Sequence, residues 1–385
     1  MKILVVNWRC PKNPEMGGAE VHMHEIFKRI AAKGHKVTYA AHSFSGASKK
    51  ETLDEVEIYR TGNKFLFNNL LNCLLNKFLF NKQFKRFYKK VLSKENFDLI
   101  VDDISKIPLG IPNYINKPVV GIIHHIHGTS LYQELPKLLA NYIIRSEKMI
   151  PKIYRDTPIF AVSQSTKDEL IELGQPENKI DILYNAIDHS LFDNIKVEKY
   201  TDPTISYIGR IKKYKNLEAV IDALPRVLEK IPNLKLKIGG TGDHVPNLQK
   251  YVAQKKLNGN VEFLGYLSEK EKAEEMAKSW FFVTMALKEG WGITVIEANA
   301  AGTPVIGSNV PGLRDSIKNN VTGRLVDLNN PDKLADVLIE MLSDKTKLDT
   351  MSAEAKNWAS KFTWDASAEH FLTKVTEWYP QLKSL

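Results

Sequence analysis

Cysteine is scarce in this chain, which has only Cys10 and Cys73 among its 385 residues. Two thiols are too few for a disulfide framework or a cysteine-rich zinc site, and they fit a reducing compartment such as the cytoplasm. The sequence also lacks an apolar run of about 18 residues, so no membrane-spanning helix is expected. The apolar stretch between Lys2 and Trp8 is too short for the core of a secretion signal and indicates a first β-strand.

Acidic residues are absent from residues 64–94, a segment that holds eight basic residues and therefore most of the net charge of +9. Its apolar residues recur at helical spacing, which predicts a basic amphipathic helix. Those apolar residues are Phe67, Leu70, Leu71, Leu74 and Phe78. Such a helix binds an anionic membrane surface, or packs on its own domain with its lysines in water. We expect membrane contact, through Lys82, Lys85, Arg86, Lys89 and Lys90. No nucleic-acid-binding module is visible, so no nucleic-acid partner is expected.

Short apolar runs alternate with helical patterns in both halves of the chain, without repeats or low-complexity tracts. This alternation predicts parallel sheets with helices on both faces. We expect two doubly wound, Rossmann-like α/β domains, residues 1–196 and 197–363, because the polar stretch Asp193–Pro203 lacks periodicity. Ligands bind beyond the carboxyl ends of the strands in such sheets, so the cleft between the two domains is the expected site.

Three loops that follow predicted strands contain glycines or basic residues suited to binding an anion. The first contains Gly17-Gly18, the second is Gly209-Arg210 followed by Lys215, and the third contains Gly240. Glycine lets backbone N–H groups approach an anion at a helix N-terminus, and an arginine with a lysine suits a diphosphate. Each loop taken alone is also explained as an ordinary solvated turn. None matches a Walker loop or a G-x-G-x-x-G fingerprint, which disfavours a dinucleotide-dependent oxidoreductase.

Two glutamates lie on either side of a predicted helix start at Gly292. Glu289 lies in the loop after the apolar run Trp280–Thr284, and Glu297 lies within the helix, which is expected to end at Gly302. A carboxylate held near helix amides can bind sugar hydroxyls while the amides bind phosphate. The alternatives are a surface position for Glu297 and a contact with the helix dipole for Glu289.

Three histidines, His124, His125 and His127, follow the predicted strand Val119–Ile123. A zinc site is one interpretation, but no second cluster of ligands accompanies them, and no metal site is predicted. A histidine that acts through hydrogen bonds in a catalytic cleft is favoured. A packing role for at least one of the three stays open.

Six short motifs follow one another along the chain. They are Gly17-Gly18-Ala19-Glu20, Ala161-Val162-Ser163-x-Ser165, Tyr184-Asn185-Ala186-Ile187-Asp188, Tyr207-Ile208-Gly209-Arg210 with Lys215, Glu289 to Glu297, and Ala301-Gly302-Thr303-Pro304-Val305-Ile306. With these motifs the chain resembles, over nearly its full length, the retaining glycosyltransferases of the GT-B fold in family 4 (glycosyl transferases group 1). One departure is Glu289-Gly290-Trp291-Gly292, where that family usually has Glu-Pro-Phe-Gly.

The resemblance implies roles for individual residues. The Gly18 amide, Arg210 and Lys215 would hold the diphosphate of a nucleotide-sugar. Glu289 would contact the donor sugar, Glu297 would bind the ribose, and one histidine, for which we favour His124, would lie beside the transferred sugar. The implied catalytic residues are Arg210, Lys215, Glu289, His124 and His125, and the implied donor-binding residues are Gly17, Gly18, Gly209, Gly240, Gly292, Ile293, Thr294, Val295 and Glu297. The acceptor or cleft candidates are His127, Asp103 and Ser163. The last helix, within residues 364–385, is expected to cross back to the first domain.

The implied activity is transfer of a hexose from a UDP- or GDP-sugar, with retention of configuration, to a glycan or lipid-linked acceptor on the N-terminal domain. Cell-envelope or polysaccharide biosynthesis is the expected setting. No metal or other cofactor is expected, since cations and amides can neutralise the leaving diphosphate. The basic segment adds an expectation of peripheral contact with the inner face of the membrane by a cytoplasmic protein. The alternatives are a nucleotide-sugar 2-epimerase of the same fold and a non-catalytic, transferase-like binding module.

Overall fold

The computed structural model describes residues 1–62, 70–133, 135–328 and 330–385; the side chains of residues 70–79 and of Pro331 are not described. The chain divides into two compact units. The first comprises Met1–Thr129, Pro136–Asn185 and Trp364–Leu385, and the second comprises Ser130–Leu135 and Ala186–Thr363. The second unit begins at Ala186 instead of residue 197 because the residues that follow pack within it. Ile187 forms a β-bridge with Thr363, and His189 Nε2 lies 3.0 Å from the Phe362 carbonyl oxygen.

The first unit contains one eight-stranded sheet and the helices that cover it. Its elements are β1 (Lys2–Val6), α1 (Gly18–Ala32), β2 (Lys36–His42), β3 (Lys50–Leu53), β4 (Val56–Thr61), α2 (Leu70–Lys90), β5 (Leu99–Asp103), β6 (Val119–Ile123), α3 (Lys137–Glu147), α4 (Ile150–Ile153), β7 (Ile159–Ala161), α5 (Gln164–Glu172) and β8 (Ile180–Ile182), with the final helix described below. The strand order is β3-β4-β2-β1-β5-β6-β7-β8. All pairs are parallel except β3, which runs antiparallel to β4.

The second unit contains a six-stranded, wholly parallel sheet. Its elements are α6 (Ser190–Asp193), β9 (Thr204–Ile208), α7 (Leu217–Leu228), β10 (Lys235–Gly239), α8 (Val245–Gln254), β11 (Val261–Gly265), α9 (Glu269–Lys278), β12 (Phe281–Thr284), α10 (Ile293–Ala300), β13 (Val305–Ser308), α11 (Leu313–Ser316), β14 (Gly323–Val326), α12 (Pro331–Ser343) and α13 (Lys345–Ala359). The strand order is β11-β10-β9-β12-β13-β14. The predicted architecture of two parallel α/β sheets is therefore confirmed.

The chain ends on the first unit with α14 (Trp364–Trp378). The Phe371 ring of this helix lies 5.1 Å from the ring of Phe27 on α1. The Tyr379 hydroxyl, just after the helix, donates a 2.8 Å hydrogen bond to the Val119 carbonyl of β6. These contacts attach the last 22 residues to the N-terminal sheet.

The central strands are apolar on both sides because helices cover both faces of each sheet. All four residues from Ile3 to Val6 in β1 are fully buried, as are Ile205 of β9 and Phe281–Val283 of β12. Continuous apolar runs of this kind are typical of parallel sheets buried on both faces. They fix the sheets and leave the polar side chains to the loops at the strand ends.

The order of strands reverses once in each sheet, and these points determine where ligands can bind. In the second unit β9 lies between β10 and β12, so the loops after β9 and β12 leave the sheet in opposite directions. In the first unit β1 lies between β2 and β5 in the same way. The crevice at such a point, beyond the carboxyl ends of the strands, is the usual ligand site of an open α/β sheet.

The described part of α2 packs one face on the first unit. Phe80 and Phe84 are fully buried, and the Phe80 ring lies 5.6 Å from that of Trp8. The opposite face is basic and exposed, with Lys82, Arg86, Lys89 and Lys90, while Lys85 is half-buried with Nζ 4.4 Å from the centre of the Tyr114 ring. Packing on its own domain is therefore confirmed for this half. Phe67 and the side chains of Leu70, Leu71, Leu74 and Phe78 lie outside the described residues. Across the described ranges, the helices are too short or too polar to cross a bilayer.

Candidate active site

The loops after β9 and β10 are packed backbone against backbone. A Cβ added to Gly240 would lie 1.9 Å from the Gly209 carbonyl oxygen, and one added to Gly242 would lie 1.9 Å from that of Ile211. Gly240 also has a φ of +120°, which side-chain-bearing residues rarely adopt. The Ile211 amide donates to the Thr241 carbonyl at 2.9 Å. Glycine is thus required here for the contact between the two loops, which holds the Gly209-Arg210 turn in place.

Lys215 and Glu289 meet at the point where the strand order reverses. Lys215 follows β9, Glu289 follows β12, and the Lys215 ammonium forms an ion pair with Glu289 Oε1. The side chains are 14% and 19% exposed. Burial alone would lower the pKa of Lys215, but the Glu289 carboxylate and the nearby hydroxyls of Tyr207 and Tyr214 outweigh it and raise that pKa. Lys215 is therefore charged at every physiological pH.

The loop that carries Glu289 is fixed on both sides. The Leu287 amide donates to the Tyr214 carbonyl at 2.9 Å, which joins the loops after β9 and β12. A Cβ on Gly312 would lie 2.4 Å from the Glu289 carbonyl oxygen, so the start of α11 also approaches this loop closely. The two charges are consequently held by backbone contacts and not by side-chain packing alone.

Helix α10 begins beside this pair. Gly292 precedes the helix with a φ of +85° and a ψ of +68°, a left-handed conformation that favours glycine. The Val295 amide donates to the Gly292 carbonyl at 2.9 Å. Within the ranges that the structure covers, the amides of Ile293 and Thr294 have no acceptor, as is usual in the first turn of a helix. The predicted helix start is confirmed, and two of the three predicted amides remain available to an anion.

Glu297 of α10 points its side chain into the unit, where little of it is exposed, which excludes the surface alternative. Its Oε1 accepts a 2.8 Å hydrogen bond from Lys272 Nζ of α9, and its side chain is 13% exposed. Its Oε2 is buried without a hydrogen-bond partner. Burial raises the pKa of Glu297, and the ammonium of Lys272 partly opposes this. A buried carboxylate oxygen without a hydrogen-bond donor is costly.

Arg210 is exposed at the start of the loop after β9. Its carbonyl oxygen accepts a 3.0 Å hydrogen bond from the buried Tyr207 hydroxyl, and this bond holds the backbone of the turn in place. The backbone of Arg210 thus belongs to the turn that follows β9.

In the first unit, Asp103, His124 and His22 form a line of hydrogen-bonding groups. His124 Nδ1 lies 3.1 Å from Asp103 Oδ1, and His124 Nε2 lies 3.0 Å from His22 Nδ1. Burial and the neighbouring His124 ring hold the pKa of His22 well below its usual range, so His22 is neutral. Both ring nitrogens of His124 are therefore engaged within the protein. The favoured histidine is held in one orientation by a carboxylate on one side and an imidazole on the other.

Glu20 adds a second carboxylate to this cluster. Its Oε2 accepts a 2.6 Å hydrogen bond from the Gly17 amide at the start of α1. Burial, and then the charge of Asp103, raise the pKa of Glu20, whereas the Gly17 amide lowers it. The Gly17 amide is thus occupied by the protein's own carboxylate, and Gly18 is the first residue of α1.

The remaining histidines lie on the loop after β6. The buried carboxylate of Glu147 accepts from the amides of His127 and Gly128, each at 2.9 Å, and its Oε1 lies 3.0 Å from His127 Nδ1. The rings of His125 and His127 are 3.9 Å apart. Ser163 is placed elsewhere, since its buried hydroxyl accepts from the Thr166 amide at 3.1 Å and caps α5. The structure thus joins His127 to Glu147 and leaves Ser163 in a helix cap.

Three charged or titratable neighbours were absent from the sequence expectations. Glu20 stood in the quoted Gly-Gly-Ala-Glu motif but had no assigned role, and His22 follows it by two residues on α1. Lys272 lies 25 residues before Glu297, and no spacing rule connects the two. Within the described ranges, no group of three histidine, cysteine, aspartate or glutamate side chains is placed to hold a metal ion.

Comparisons with known proteins give one consistent result. A family model for glycosyltransferase family 4 matches residues 16–191, and one for glycosyl transferases group 1 matches residues 190–358. N-acetyl-alpha-D-glucosaminyl L-malate synthase of Bacillus anthracis is 25% identical over 89% of both chains.

Among solved structures, sucrose-phosphate synthase of Thermosynechococcus elongatus has a TM-score of 0.82 at 18% identity, covering 99% of this chain and 100% of the other. The Anabaena protein HepE, crystallised with UDP-glucose, has a TM-score of 0.73 at 17% identity, covering 98% and 100%. At these identities the two structures support the fold. Since the two family models together span residues 16–358, the chain belongs to glycosyltransferase family 4, the glycosyl transferases group 1, and has the GT-B fold.

Proposed function

We propose that the chain transfers a hexose from a UDP- or GDP-sugar, with retention of configuration and without a metal ion, to a hydroxyl of a glycan or lipid-linked acceptor. The observation that carries the proposal is the Lys215–Glu289 pair beside the first turn of α10, at the point of strand reversal in the second unit. This arrangement puts a fixed cation, a carboxylate and free amides within one small region. A diphosphate joined to a sugar is the ligand that uses all three.

The donor would bind these groups through its diphosphate, its sugar and its ribose. The diphosphate binds the Lys215 ammonium and the amides of Ile293 and Thr294, where the helix dipole favours negative charge. The sugar hydroxyls donate to the Glu289 carboxylate. The ribose hydroxyls donate to the unpartnered Oε2 of Glu297. Arg210, exposed on the adjoining loop, adds a second cation to the diphosphate.

The chemistry follows from charge neutralisation. As the bond between the anomeric carbon and the diphosphate oxygen breaks, negative charge grows on the leaving group, and Lys215, Arg210 and the helix amides stabilise it without reorganising. The acceptor hydroxyl attacks from the face that the diphosphate leaves, and its proton passes to a diphosphate oxygen. This course retains configuration and needs no protein nucleophile. The same cations make a metal ion unnecessary, so transfer should persist in the presence of a chelator.

The acceptor side is assigned to the first unit and its Asp103, His124 and His22 line. Both ring nitrogens of His124 are in contact with a neighbour, Asp103 or His22. His124 therefore contacts the transferred sugar with the edge of its ring, or after one of these two contacts is replaced by a hydrogen bond to the sugar. Asp103 keeps a second carboxylate oxygen for an acceptor hydroxyl. His125, half-buried on the same loop, is the remaining histidine candidate.

The basic face of α2 supports an acceptor presented at a membrane. Lys82, Arg86, Lys89 and Lys90 are exposed while the aromatic face is already buried, so contact here is electrostatic. Each basic residue near an anionic surface contributes about 1 kcal/mol, and salt screens the attraction. Replacing all four by glutamine should therefore reduce the salt-sensitive part of vesicle binding.

The decisive test is product analysis with a panel of UDP- and GDP-hexoses and with lipid-linked and soluble glycan acceptors, each with and without EDTA. The proposal expects a new glycoside with the donor's anomeric configuration, in amounts that EDTA does not lower. A new nucleotide-sugar without a glycoside would establish a 2-epimerase instead. Donor binding without release of a nucleoside diphosphate would establish a non-catalytic binding module.

A further inference from the structure

Helix α3 of the first unit exposes large apolar side chains to solvent. Leu138 is 87% exposed, Tyr142 47%, and Met149, just past the helix, 41%. The spacing of 138, 142 and 149 is four and seven residues, so the three side chains lie along one side of the helix axis. A leucine exposed to this extent, with two further apolar neighbours in line, forms a patch that indicates an interaction site.

Contacts on the opposite side prevent this helix from turning its apolar side inward. Ala140 and Ile143 are buried against the unit, and Glu147 is 3% exposed. Glu147 also accepts from the amides of His127 and Gly128, each at 2.9 Å. Rotating α3 to hide Leu138 would remove the acceptor of those two amides. The exposure of the patch is therefore built into the fold.

The exposed charges on α3 and on the residues that follow it up to 152 are all basic. Lys137, Arg145, Lys148 and Lys152 are all exposed. Between residues 135 and 152 the only acidic residue is Glu147, which is buried. Basic side chains beside exposed leucine, tyrosine and methionine match the boundary of an anionic bilayer, where phosphates meet acyl chains.

We infer that this face of α3 docks on an anionic lipid surface and inserts Leu138, Tyr142 and Met149 among the lipids. A second copy of the chain fits the patch less well. Three side chains fall far short of the roughly 1,000 Å² that a specific protein interface buries, and facing copies would bring like charges together. The inference goes beyond the contact proposed for α2, because the described side chains on the exposed face of α2 offer charge alone whereas α3 offers charge with side chains able to insert.

Vesicle flotation tests this inference with the full chain. The vesicles contain phosphatidylcholine alone or with phosphatidylglycerol. The test variant carries Leu138→Ser, Tyr142→Ser and Met149→Ser. The matched control is Tyr266→Ser, which removes an exposed ring, 79% accessible, from the second unit. All replaced side chains are exposed, so each variant should retain the wild-type melting temperature.

We expect the triple variant to lose about tenfold or more in partitioning to the anionic vesicles, and Tyr266→Ser to bind like wild type. Binding that survives at high salt should disappear in the triple variant, since insertion is not screened. Unchanged flotation of the triple variant would overturn the inference. So would a wild-type dimer in sedimentation that the triple variant converts to monomer, because the patch would then be an interface between copies.

Release of nucleoside diphosphate from a nucleotide-sugar, with a soluble acceptor and no vesicles, separates this inference from the proposed function. The triple variant should match wild type in that assay. If neither protein turns over any donor while the flotation difference persists, the transferase proposal fails and the lipid contact of α3 stands.

Discussion

Replacing Lys215 by methionine tests the proposed diphosphate site at its centre. Methionine keeps most of the apolar stem and removes the ammonium that pairs with Glu289. One preorganised charge is typically worth two to three orders of magnitude in kcat, or about 3–4 kcal/mol of transition-state stabilisation. We therefore expect turnover at saturating donor to fall by about 10²–10³.

The same change also affects stability, for a reason that the structure makes specific. Breaking a fully buried ion pair costs about 3–5 kcal/mol, because the remaining charge is left without a partner. Glu289 keeps 19% of its side chain exposed and can take up water, so we expect a smaller loss of about 1–3 kcal/mol. The double variant Lys215→Met with Glu289→Gln should recover most of that stability and none of the activity.

The assay measures kcat and donor KM together with urea unfolding for each protein. Lys213→Met is the matched control, because Lys213 lies two residues away on the same loop and is exposed. It should leave turnover and stability near wild-type values. Wild-type kcat in a folded Lys215→Met variant, at saturating donor, would refute the assignment of Lys215 to the leaving diphosphate.

Three further changes test other parts of the account. Glu297→Gln should raise donor KM about tenfold or more with less effect on kcat, because a hydrogen bond to a charged group is worth about 1.5–3 kcal/mol; steady-state kinetics with an unchanged KM would speak against a ribose contact. Gly240→Ala should destabilise the chain by more than about 3 kcal/mol, since its Cβ would overlap the Gly209 carbonyl, while Gly259→Ala, which has open space, should be nearly neutral in the same thermal unfolding experiment. Burial raises the pKa of Asp102 to about 7. The folded protein therefore keeps a proton that the unfolded chain releases between about pH 4 and 7, and this contribution to stability is lost as pH rises through that window. Asp102→Asn should gain up to about 4 kcal/mol relative to wild type between pH 4 and 8, and parallel pH–stability curves would contradict this.

The elements that the sequence predicted well were those with an unambiguous apolar period. The short apolar runs of β1, β9 and β12 are separated by helical patterns, so they indicate buried parallel strands. The glycine before α10 marks a helix start. Strands β3 and β4 were not predicted. The four residues of β3, Lys50–Leu53, are mostly polar, and the turn that joins β3 to β4 has Asp54 and Glu55 at positive φ. Asparagine or glycine would have signalled that turn, whereas aspartate followed by glutamate does not.

The site was predictable where its residues lie in one loop and not where they meet across elements. Lys215 was expected at the diphosphate and Glu289 at the donor sugar, yet their ion pair depends on the order of strands, which no local pattern specifies. The burial of Glu297 depends on Lys272 from another helix. His22 was overlooked because a histidine on a buried helix face usually has only a packing role, and its contact with His124 exists only in the folded sheet.

Binding of nucleotide-sugars to the folded chain tests the central claim most directly. A ligand that binds only the native state stabilises it by about 2.7 kcal/mol at one hundred times its Kd, which a thermal-shift panel detects readily. We predict that at least one UDP- or GDP-hexose raises the melting temperature of wild type and of Lys213→Met, and that the shift largely disappears in Lys215→Met. A panel without any shift, or an equal shift in Lys215→Met, would contradict the account.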